Sequence, residues 1–324
     1  LGHTALRMAS SAGHVDIVKY LVENGAEVNA VDVWGETALR IAASAGHVDV
    51  VKCLVENGAE VNAVDDSGDT ALGMAANKGH VDVVKYLVEN GAEDNAVDKL
   101  GHTALGIATN KGHFDVVKCL VENGAEVNTV DKLGQTALRM AAWVGHADIV
   151  KYLVENGAEV NAVDMSGDTA LGMAANKGHV DVVKCLVENG AEDNAVDKWG
   201  ETALCRAASA GYVDVVKCLV ENDAEVNAVD KSGHTALCKA ADKGHVDIVK
   251  CLVENGAEVN AVDKGARRSF HSYLNILQFG WTALGTAANK GHIDIVKYLI
   301  ENGAEVNAVD KSGHTALGEA ALAG

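Results

Sequence analysis

Hydrophobic and polar positions along the chain follow a pattern that returns every 33 residues. In residues 32–64, "DVWGETALRIAASAGHVDVVKCLVENGAEVNAV", two short apolar segments are separated by a Gly-His pair and followed by a polar arm. Leu39, Ala42 and Ala43 recur at the spacing of one helical face, so the first segment is predicted to be a helix. The second segment, "VDVVKCLVEN", is apolar around more than one face, and its helix is therefore expected to pack on both sides.

Turn and cap residues stand at the ends of both predicted helices. Asp32 followed by Gly35 is typical of a type I turn, and Thr37 offers a hydroxyl group as the N-cap of the first helix. Gly58 is expected to end the second helix in the left-handed conformation. Each copy of the pattern is thus a turn, two helices and an extended arm. One copy cannot bury its apolar face alone, so the copies are predicted to stack into an α-solenoid.

The repeated phrase resembles a known family over essentially the whole chain. D-x-x-G-x-T-A-L-x-x-A-A-x-x-G-H-x-D-V-V-K-x-L-V-E-N-G-A-E-V-N-A is similar to the ankyrin repeat. The resemblance implies an all-α repeat fold with a helix-turn-helix and a β-turn or hairpin arm in each copy. One departure is systematic, because the family's usual T-P-L-H reads T-A-L-x here. Proline at the first helical position pre-sets the backbone, so its loss is expected to weaken each copy modestly.

The repeat predicts a single array over residues 1–324, with an interruption near its end. Copies 1 to 9 span 1–31, 32–64, 65–97, 98–130, 131–163, 164–196, 197–229, 230–262 and 263–309, and a partial copy 10 spans 310–324. Copy 9 carries an insert at 266–279, in the turn, where insertions are best tolerated. The insert is either a finger near Trp281 or, by a slight preference, a disordered loop or translated non-coding sequence.

Composition restricts the class of partner and the compartment. Forty-six acidic residues against 27 basic ones give a formal charge of −19, which repels nucleic acid and favours a basic protein partner. No apolar run approaches the roughly 18–20 residues that a membrane span needs, so membrane insertion is not expected. Seven cysteines without a C-x-x-C pair indicate reduced thiols in the cytoplasm or nucleus.

A search for reaction chemistry returns no motif for a nucleotide, a metal or a nucleophile. Eight of the 13 histidines occupy one position between the two helices, once per copy, whereas a metal needs ligands that converge on one point. Five cysteines alternate with tyrosine in one position of the second helix, which indicates packing. We therefore expect no catalytic residue, no metal, no cofactor and no small-molecule substrate, and the chain is not predicted to be an enzyme.

Residues that break the repeat are the candidates for a binding surface. All four tryptophans and all six arginines lie outside the repeated framework, and both types are enriched at interface hot spots. In the ankyrin family, the resemblance implies, turn tips and first helices form the concave face that contacts partners. Interface contact and neutral drift weigh about evenly for a single residue, while contact is favoured for the group in copies 4 and 5, where exposed apolar residues would form a patch. The candidates are Trp34, Arg40, Leu100, His102, Leu133, Gln135, Arg139, Trp143, Val144, Trp199, Glu201, Arg206 and Trp281.

The family resemblance also implies a modification. "LVENGAEVN" resembles the ankyrin site for asparaginyl hydroxylation, with Asn62, Asn128 and Asn161 as candidates. A turn role of asparagine within the repeat consensus is the favoured alternative.

Two hypotheses for function remain open. The leading one is a non-enzymatic protein–protein interaction scaffold that binds its partner on the concave face. The alternative is the substrate-recognition arm of a larger enzyme, channel or ubiquitin-ligase adaptor whose other domains lie outside this chain. The chain begins and ends inside a copy, and arrays need capping repeats, which favours the alternative.

Overall fold

The computed structural model describes residues 4–262 and 282–307. Within these ranges the chain forms 18 α-helices arranged in nine pairs. It clusters into two compact units, Leu1–Met165 and Ser166–Gly324. The insert at 266–279, Trp281 and partial copy 10 lie outside the described residues, and the extent of the single array stays a prediction.

Each copy contributes one pair of helices to its unit. The described helices of the first unit are α1 (Ala5–Ser11), α2 (Val15–Glu23), α3 (Ala38–Ala45), α4 (Val48–Glu56), α5 (Ala71–Lys78), α6 (Val81–Glu89), α7 (Ala104–Lys111), α8 (Phe114–Glu122), α9 (Ala137–Val144) and α10 (Ala147–Glu155). Those of the second unit are α11 (Ala170–Lys177), α12 (Val180–Glu188), α13 (Ala203–Ala210), α14 (Val213–Glu221), α15 (Ala236–Lys243), α16 (Val246–Glu254), α17 (Ala283–Asn289) and α18 (Ile293–Glu301).

The predicted caps are confirmed in copy 2. The hydroxyl oxygen of Thr37 accepts the backbone N–H of Arg40 at 3.1 Å, which satisfies one of the free donors at the start of α3. Gly46 ends α3 with φ at 78°, and Gly58 follows α4 with φ at 85°. Both glycines occupy the left-handed region, where a side chain would be strained.

Burial on more than one side of the second helix is also confirmed. In α4, Val50, Val51 and Leu54 are 1%, 0% and 0% exposed. The helix packs against α2 of the preceding copy, α6 of the following copy and α3 of its own. Because such a leucine is enclosed by three helices, its truncation to alanine is expected to cost about 2–5 kcal/mol.

Arms and turn tips are joined from copy to copy by hydrogen bonds. In the described ranges the arms form isolated bridges, Val97 with Thr103 and Val130 with Thr136, and no extended strand. At the tips, the backbone N–H of Lys132 donates to the carbonyl oxygen of Leu100 at 3.1 Å. The same backbone hydrogen bond joins successive described tips within each unit, and it fixes the spacing of the tips.

The histidine position between the helices has a structural role. The Nε2 atom of His47 lies 3.1 Å from the carbonyl oxygen of Ser11 in the preceding copy, and His80 makes the same contact with Ser44. These two imidazoles link neighbouring copies, whereas the buried Nε2 atom of His146 has no hydrogen-bond partner among the described residues. In the described part of the chain, no group of three or more His, Cys, Asp or Glu is placed to hold a metal ion.

None of the seven cysteines, all of which lie in the described ranges, forms a disulfide bond. Burial raises the pKa of the Cys205 thiol, against hydrogen bonds from Thr202 that lower it. A thiol with a raised pKa is a poor nucleophile at neutral pH. None of the helices in the described ranges is long and apolar enough to cross a bilayer.

Three acidic residues interrupt the regular pattern. Among the described residues, Asp223 is the one non-glycine with positive φ, 66°. Asp94 and Asp193 replace valine in the arms of copies 3 and 6, and each has one buried carboxylate oxygen without a hydrogen-bond partner. Burial raises the pKa of Asp94. Burial and the nearby charge of Asp223 raise the pKa of Asp193.

Candidate functional site

The turn tips present their third residue to solvent. In copy 2, the Oδ1 atom of Asp32 accepts the backbone N–H groups of Trp34 at 2.9 Å and Glu36 at 3.0 Å, which holds the tip in one conformation. The side chain of Trp34, the third residue of this tip, points outward. Exposed fractions at this position are 51% for Trp34, 62% for Leu100, 58% for Leu133 and 52% for Trp199.

In the first unit, apolar tips of three successive copies lie side by side. Leu100 and Leu133 are joined by the bond to Lys132, and the backbone N–H of Met165 donates to the carbonyl oxygen of Leu133 at 3.1 Å. Met165 is 75% exposed. We call Leu100, Leu133 and Met165 the apolar tip row. Sequence reasoning missed Met165, although the substitution of methionine for the lysine of copies 4 and 5 was a visible signal.

Trp143 and Val144 lie away from this row. They are 41% and 37% exposed and stand at the C-terminal end of α9, whereas the tips precede its N-terminus. An eight-residue helix is about 12 Å long. The apolar candidates of copies 4 and 5 therefore form two separate areas, one at the tips and one at the far end of α9.

Arg40 and Arg139, two of the candidates for partner contact, are buried. Each is 8% exposed. Arg40 lies 2.6 Å from Asp65 in the next copy, and Arg139 lies 2.7 Å from Asp164 in the next copy. Their position, three residues after the cap threonine, faces the aspartate that opens the following turn. A buried carboxylate needs such a cation, because an unpaired charge there would be strongly destabilising.

Arg206 stands one residue further along its helix and bonds in the opposite direction. Its guanidinium donates to Asp168 in the preceding copy and to Asp197 in its own turn. Glu201 lies 3.8 Å from its Nε atom. Arg206 is 8% exposed, so it too joins neighbouring copies through buried hydrogen bonds.

His102 takes a comparable place in copy 4. Its Nδ1 atom lies 2.9 Å from Asp98, and its Nε2 atom lies 3.7 Å from Asp131 in the next copy. Burial would raise the pKa of Asp98, but hydrogen bonds from His102 and Leu100 outweigh it and lower the pKa. The backbone N–H of Gln135, a further candidate, donates to Asp131 at 2.8 Å. Gln135 is therefore part of the hydrogen-bonded turn of copy 5.

A cleft opens beside Trp199 in the second unit. Its volume is about 570 Å³, and its lining includes Lys198, Lys231, His234 and Lys239. The Nζ atom of Lys198 lies 4.2 Å from the centroid of the Trp199 ring. The Nζ atom of Lys231 donates to the carbonyl oxygen of Lys198 at 2.6 Å.

The candidate asparagines bridge successive arms. The side-chain amide of Asn62 donates to the carbonyl oxygen of Gly91 at 3.0 Å and accepts the N–H of Glu93 at 2.9 Å. Asn128 makes the equivalent pair of bonds in copy 4, and Asn161 occupies the same position in copy 5. The geometry supplies a structural reason for the asparagine, and hydroxylation stays a prediction.

Stacked helix pairs joined by turn tips define a helical-repeat protein of the protein-interaction type. A family model described as ankyrin repeats (3 copies) matches residues 6–98, 92–164, 130–197, 171–263 and 266–324. The chain therefore belongs to the ankyrin-repeat family, as its repeated phrase predicts, and the predicted fold class is confirmed.

Comparison with solved structures gives a similar protein. The crystal structure of the human ASB11 ankyrin repeat domain matches with 30% identity and a TM-score of 0.63. The match covers 69% of this chain and 99% of that one. No curated protein sequence matches the chain. Ankyrin repeats are general protein-interaction modules.

Proposed function

We propose that the chain is a non-enzymatic scaffold that binds a partner protein through its turn tips and first helices. The apolar tip row carries the proposal, since Leu100, Leu133 and Met165 are 62%, 58% and 75% exposed on successive tips. Large apolar side chains exposed on adjacent tips favour a surface that a partner covers.

The rigidity of the tips supports this function. The carboxylate of Asp131 accepts the N–H groups of Leu133 and Gln135, both at 2.8 Å. The backbone bonds between tips then fix the spacing from one exposed side chain to the next. Because the surface is ordered before a partner arrives, binding loses less conformational entropy.

Trp143 is a second contact for the same partner. It lies at the far end of α9 from the tip row, a separation of about 12 Å for eight residues. An extended segment of about four residues covers that distance. Tryptophan is the side chain most enriched at interface hot spots. A partner segment laid along α9 would therefore contact both apolar areas.

A second candidate is that the array is the recognition arm of a larger protein. The similar human structure is described as one domain, the ASB11 ankyrin repeat domain, and this favours the candidate. The length of the natural gene product decides between an independent scaffold and a recognition arm. Both candidates use the same surface.

Affinity capture from the source cell, with matched variants as bait, tests the surface. Leu133→Asp places a charge in the apolar tip row and is expected to remove most captured partners. Ile17→Asp is the control, because Ile17 is 50% exposed on the second helix α2 of the same unit. Equal retention of partners by the two variants would contradict the proposed surface. Circular dichroism confirms that both variants remain helical.

A further inference from the structure

Two tryptophans in the same position of their copies have different surroundings. Trp34 and Trp199 both stand third in a turn tip and are 51% and 52% exposed. At Trp34, the preceding residue is Val33, and the next tip contributes Asp66, whose N–H donates to the Trp34 carbonyl oxygen at 3.0 Å. Lysine holds both of these positions around Trp199. The preceding residue and the tip of the next copy therefore place different charges beside Trp34 and Trp199.

The two lysines form one wall of the cleft beside Trp199. The Nζ atom of Lys198 lies over the indole ring and donates to the hydroxyl group of Ser166 at 3.2 Å. The backbone N–H of Lys231 donates to the Trp199 carbonyl oxygen at 2.9 Å. The Nζ atom of Lys231 donates a hydrogen bond to the Lys198 carbonyl oxygen. Within the described part of the chain, no carboxylate lies within ion-pairing distance of either amine. This wall therefore carries two positive charges that no carboxylate of the described residues neutralises by direct pairing.

The acidic groups of the cleft are already paired. Lys239 forms ion pairs with Glu201 and, at 2.9 Å, with Asp230. Burial would raise the pKa of Asp230, but hydrogen bonds from His234 and Lys239 outweigh it and hold the pKa well below its usual value. The same two carboxylates raise the pKa of Lys239 against the effect of burial. The lining thus holds two carboxylates and three lysines, and the amines without a carboxylate partner among the described residues are the two of the wall.

The volume of the cleft and the charges nearest to it both suit a peptide ligand. A volume of about 570 Å³ falls within the roughly 300–1,000 Å³ of ligand sites. The net charge of the whole chain is −19. At physiological ionic strength, charges beyond about 8 Å are screened. The nearest charges then decide which ligand is attracted, and these are the amines of Lys198 and Lys231.

We propose that this cleft binds an acidic peptide segment of the partner, with glutamate or aspartate carboxylates at Lys198 and Lys231 and an apolar side chain against Trp199. The inference rests on the proposed function and adds the chemistry of one contact. It departs locally from the expectation of a basic partner, which follows from net charge alone. A nucleic acid strand, the other anionic polymer that such a cleft would attract, is an outcome of the test.

Fluorescence anisotropy with the full chain tests the inference at about 0.15 M ionic strength. The probe is a short fluorescein-labelled peptide of alternating glutamate and leucine, and its partner probe carries glutamine for glutamate. Lys198→Val with Lys231→Asp reproduces the surroundings of Trp34. This double variant is expected to weaken binding of the glutamate peptide about tenfold or more, because two attractive charges are lost.

A matched double variant controls for net charge. Lys217→Asp with Lys250→Val changes the total charge by the same amount on the exposed faces of α14 and α16, outside the cleft. It is expected to bind the glutamate peptide like the unmodified chain. Trp199→Ala is expected to weaken binding, whereas Trp34→Ala leaves it unchanged.

Three results would overturn the inference: equal weakening by both double variants, equal binding of the glutamine peptide, or displacement of the peptide by a uridine oligonucleotide. The proposed function is judged separately by Leu133→Asp. If that variant loses captured partners while the cleft variants leave peptide binding unchanged, the scaffold function stands and the acidic-peptide site fails.

Discussion

Copies 3 and 6 share the segment SGDTALGMAANKGHVDVVK, yet one carboxylate within it has different surroundings in the two copies. In copy 6, Asp168 accepts a hydrogen bond from the guanidinium of Arg206 in the next copy. In copy 3, the equivalent Asp69 faces a copy that carries Ile107 at that position, and its nearest cation is Arg40, at 3.8 Å. Burial and the charge of Asp65 raise the pKa of Asp69.

The difference shows that the neighbouring copy decides the electrostatics of a repeated side chain. Helix caps and apolar packing depend on residues within one copy and its regular neighbours, so they are the same in both places. Ion pairs cross from one copy to the next, and they depend on the variable positions of the first helix. Identical segments in a repeat array can therefore form different ion pairs.

Arg206→Ile has the largest expected effect on this comparison. It gives copy 7 the residue of copy 4 and leaves Asp168 and Asp197 without their shared guanidinium. Breaking a buried ion pair costs about 3–5 kcal/mol, and we expect a loss near the lower end. Urea unfolding followed by circular dichroism measures it. A loss below about 1 kcal/mol would mean that solvent replaces the guanidinium easily.

Ile107→Arg is the reverse exchange. The new guanidinium is expected to reach Asp69 and Asp98, the equivalents of the two acceptors of Arg206, and to lower the pKa of Asp69. Hydrogen bonds to charged groups contribute about 1.5–3 kcal/mol, and we expect a gain of about 1.5 kcal/mol after the loss of isoleucine packing. NMR titration of the Asp69 carboxyl measures the pKa, and Ile107→Lys provides the comparison with a single ammonium group. An unchanged pKa in both variants would contradict the equivalence of the two copies.

Asp223→Gly tests a second difference between the copies, in their arms. Glycine removes the strain of a side chain at φ 66° and also removes the charge that raises the pKa of Asp193. We expect a stabilisation of about 1 kcal/mol, since left-handed residues with a side chain cost about 1–2 kcal/mol. Asp223→Asn separates the two causes, because it keeps the side chain and removes the charge. Equal stability of all three chains would show that neither cause operates.

Asp94→Val has the smallest expected effect and depends on pH. The pKa of Asp94 is raised in the folded chain, so the folded state binds its proton more tightly than the unfolded state. The carboxylate therefore costs stability at neutral pH, and this cost disappears as the pH falls below the ordinary value of about 3.9. Valine is expected to raise stability by about 1 kcal/mol at pH 7, through removal of an unsatisfied buried oxygen, and by less at low pH.

Thermal unfolding at pH 7 and at about pH 3 checks this prediction, since the ordinary pKa of about 3.9 lies between the two values. Asp193→Val in copy 6 is the matched variant, and the extra repulsion from Asp223 should make its gain the larger of the two. A gain from Asp94→Val that does not change with pH would show that packing, and not ionisation, is responsible.

The parts of the fold that could be predicted from sequence depend on local chemistry. Thr37 caps α3 and Gly58 follows α4 because a hydroxyl acceptor and a glycine suit those backbone positions in any copy. The two-sided burial of Leu54 follows from the apolar pattern of its helix. Such features need no knowledge of which copy comes next.

The parts that could not be predicted depend on direction and distance between copies. Arg40 and Arg206 both occur irregularly on first helices, but a shift of one helical position turns one towards the next copy and the other towards the preceding copy. Trp143 falls in copy 5 with Leu133, yet the length of α9 separates them. Met165 was missed because exposure at a turn tip depends on the hydrogen-bonded turn and not on residue type.

Photo-crosslinking tests directly whether a partner binds along the apolar tip row. A photoreactive amino acid is placed at Leu133 in one protein and at Ile17 in another, and both are irradiated with extract from the source cell. We expect crosslinked partner proteins from Leu133 and none from Ile17. Crosslinks of equal yield from both positions, or from Ile17 alone, would contradict this expectation.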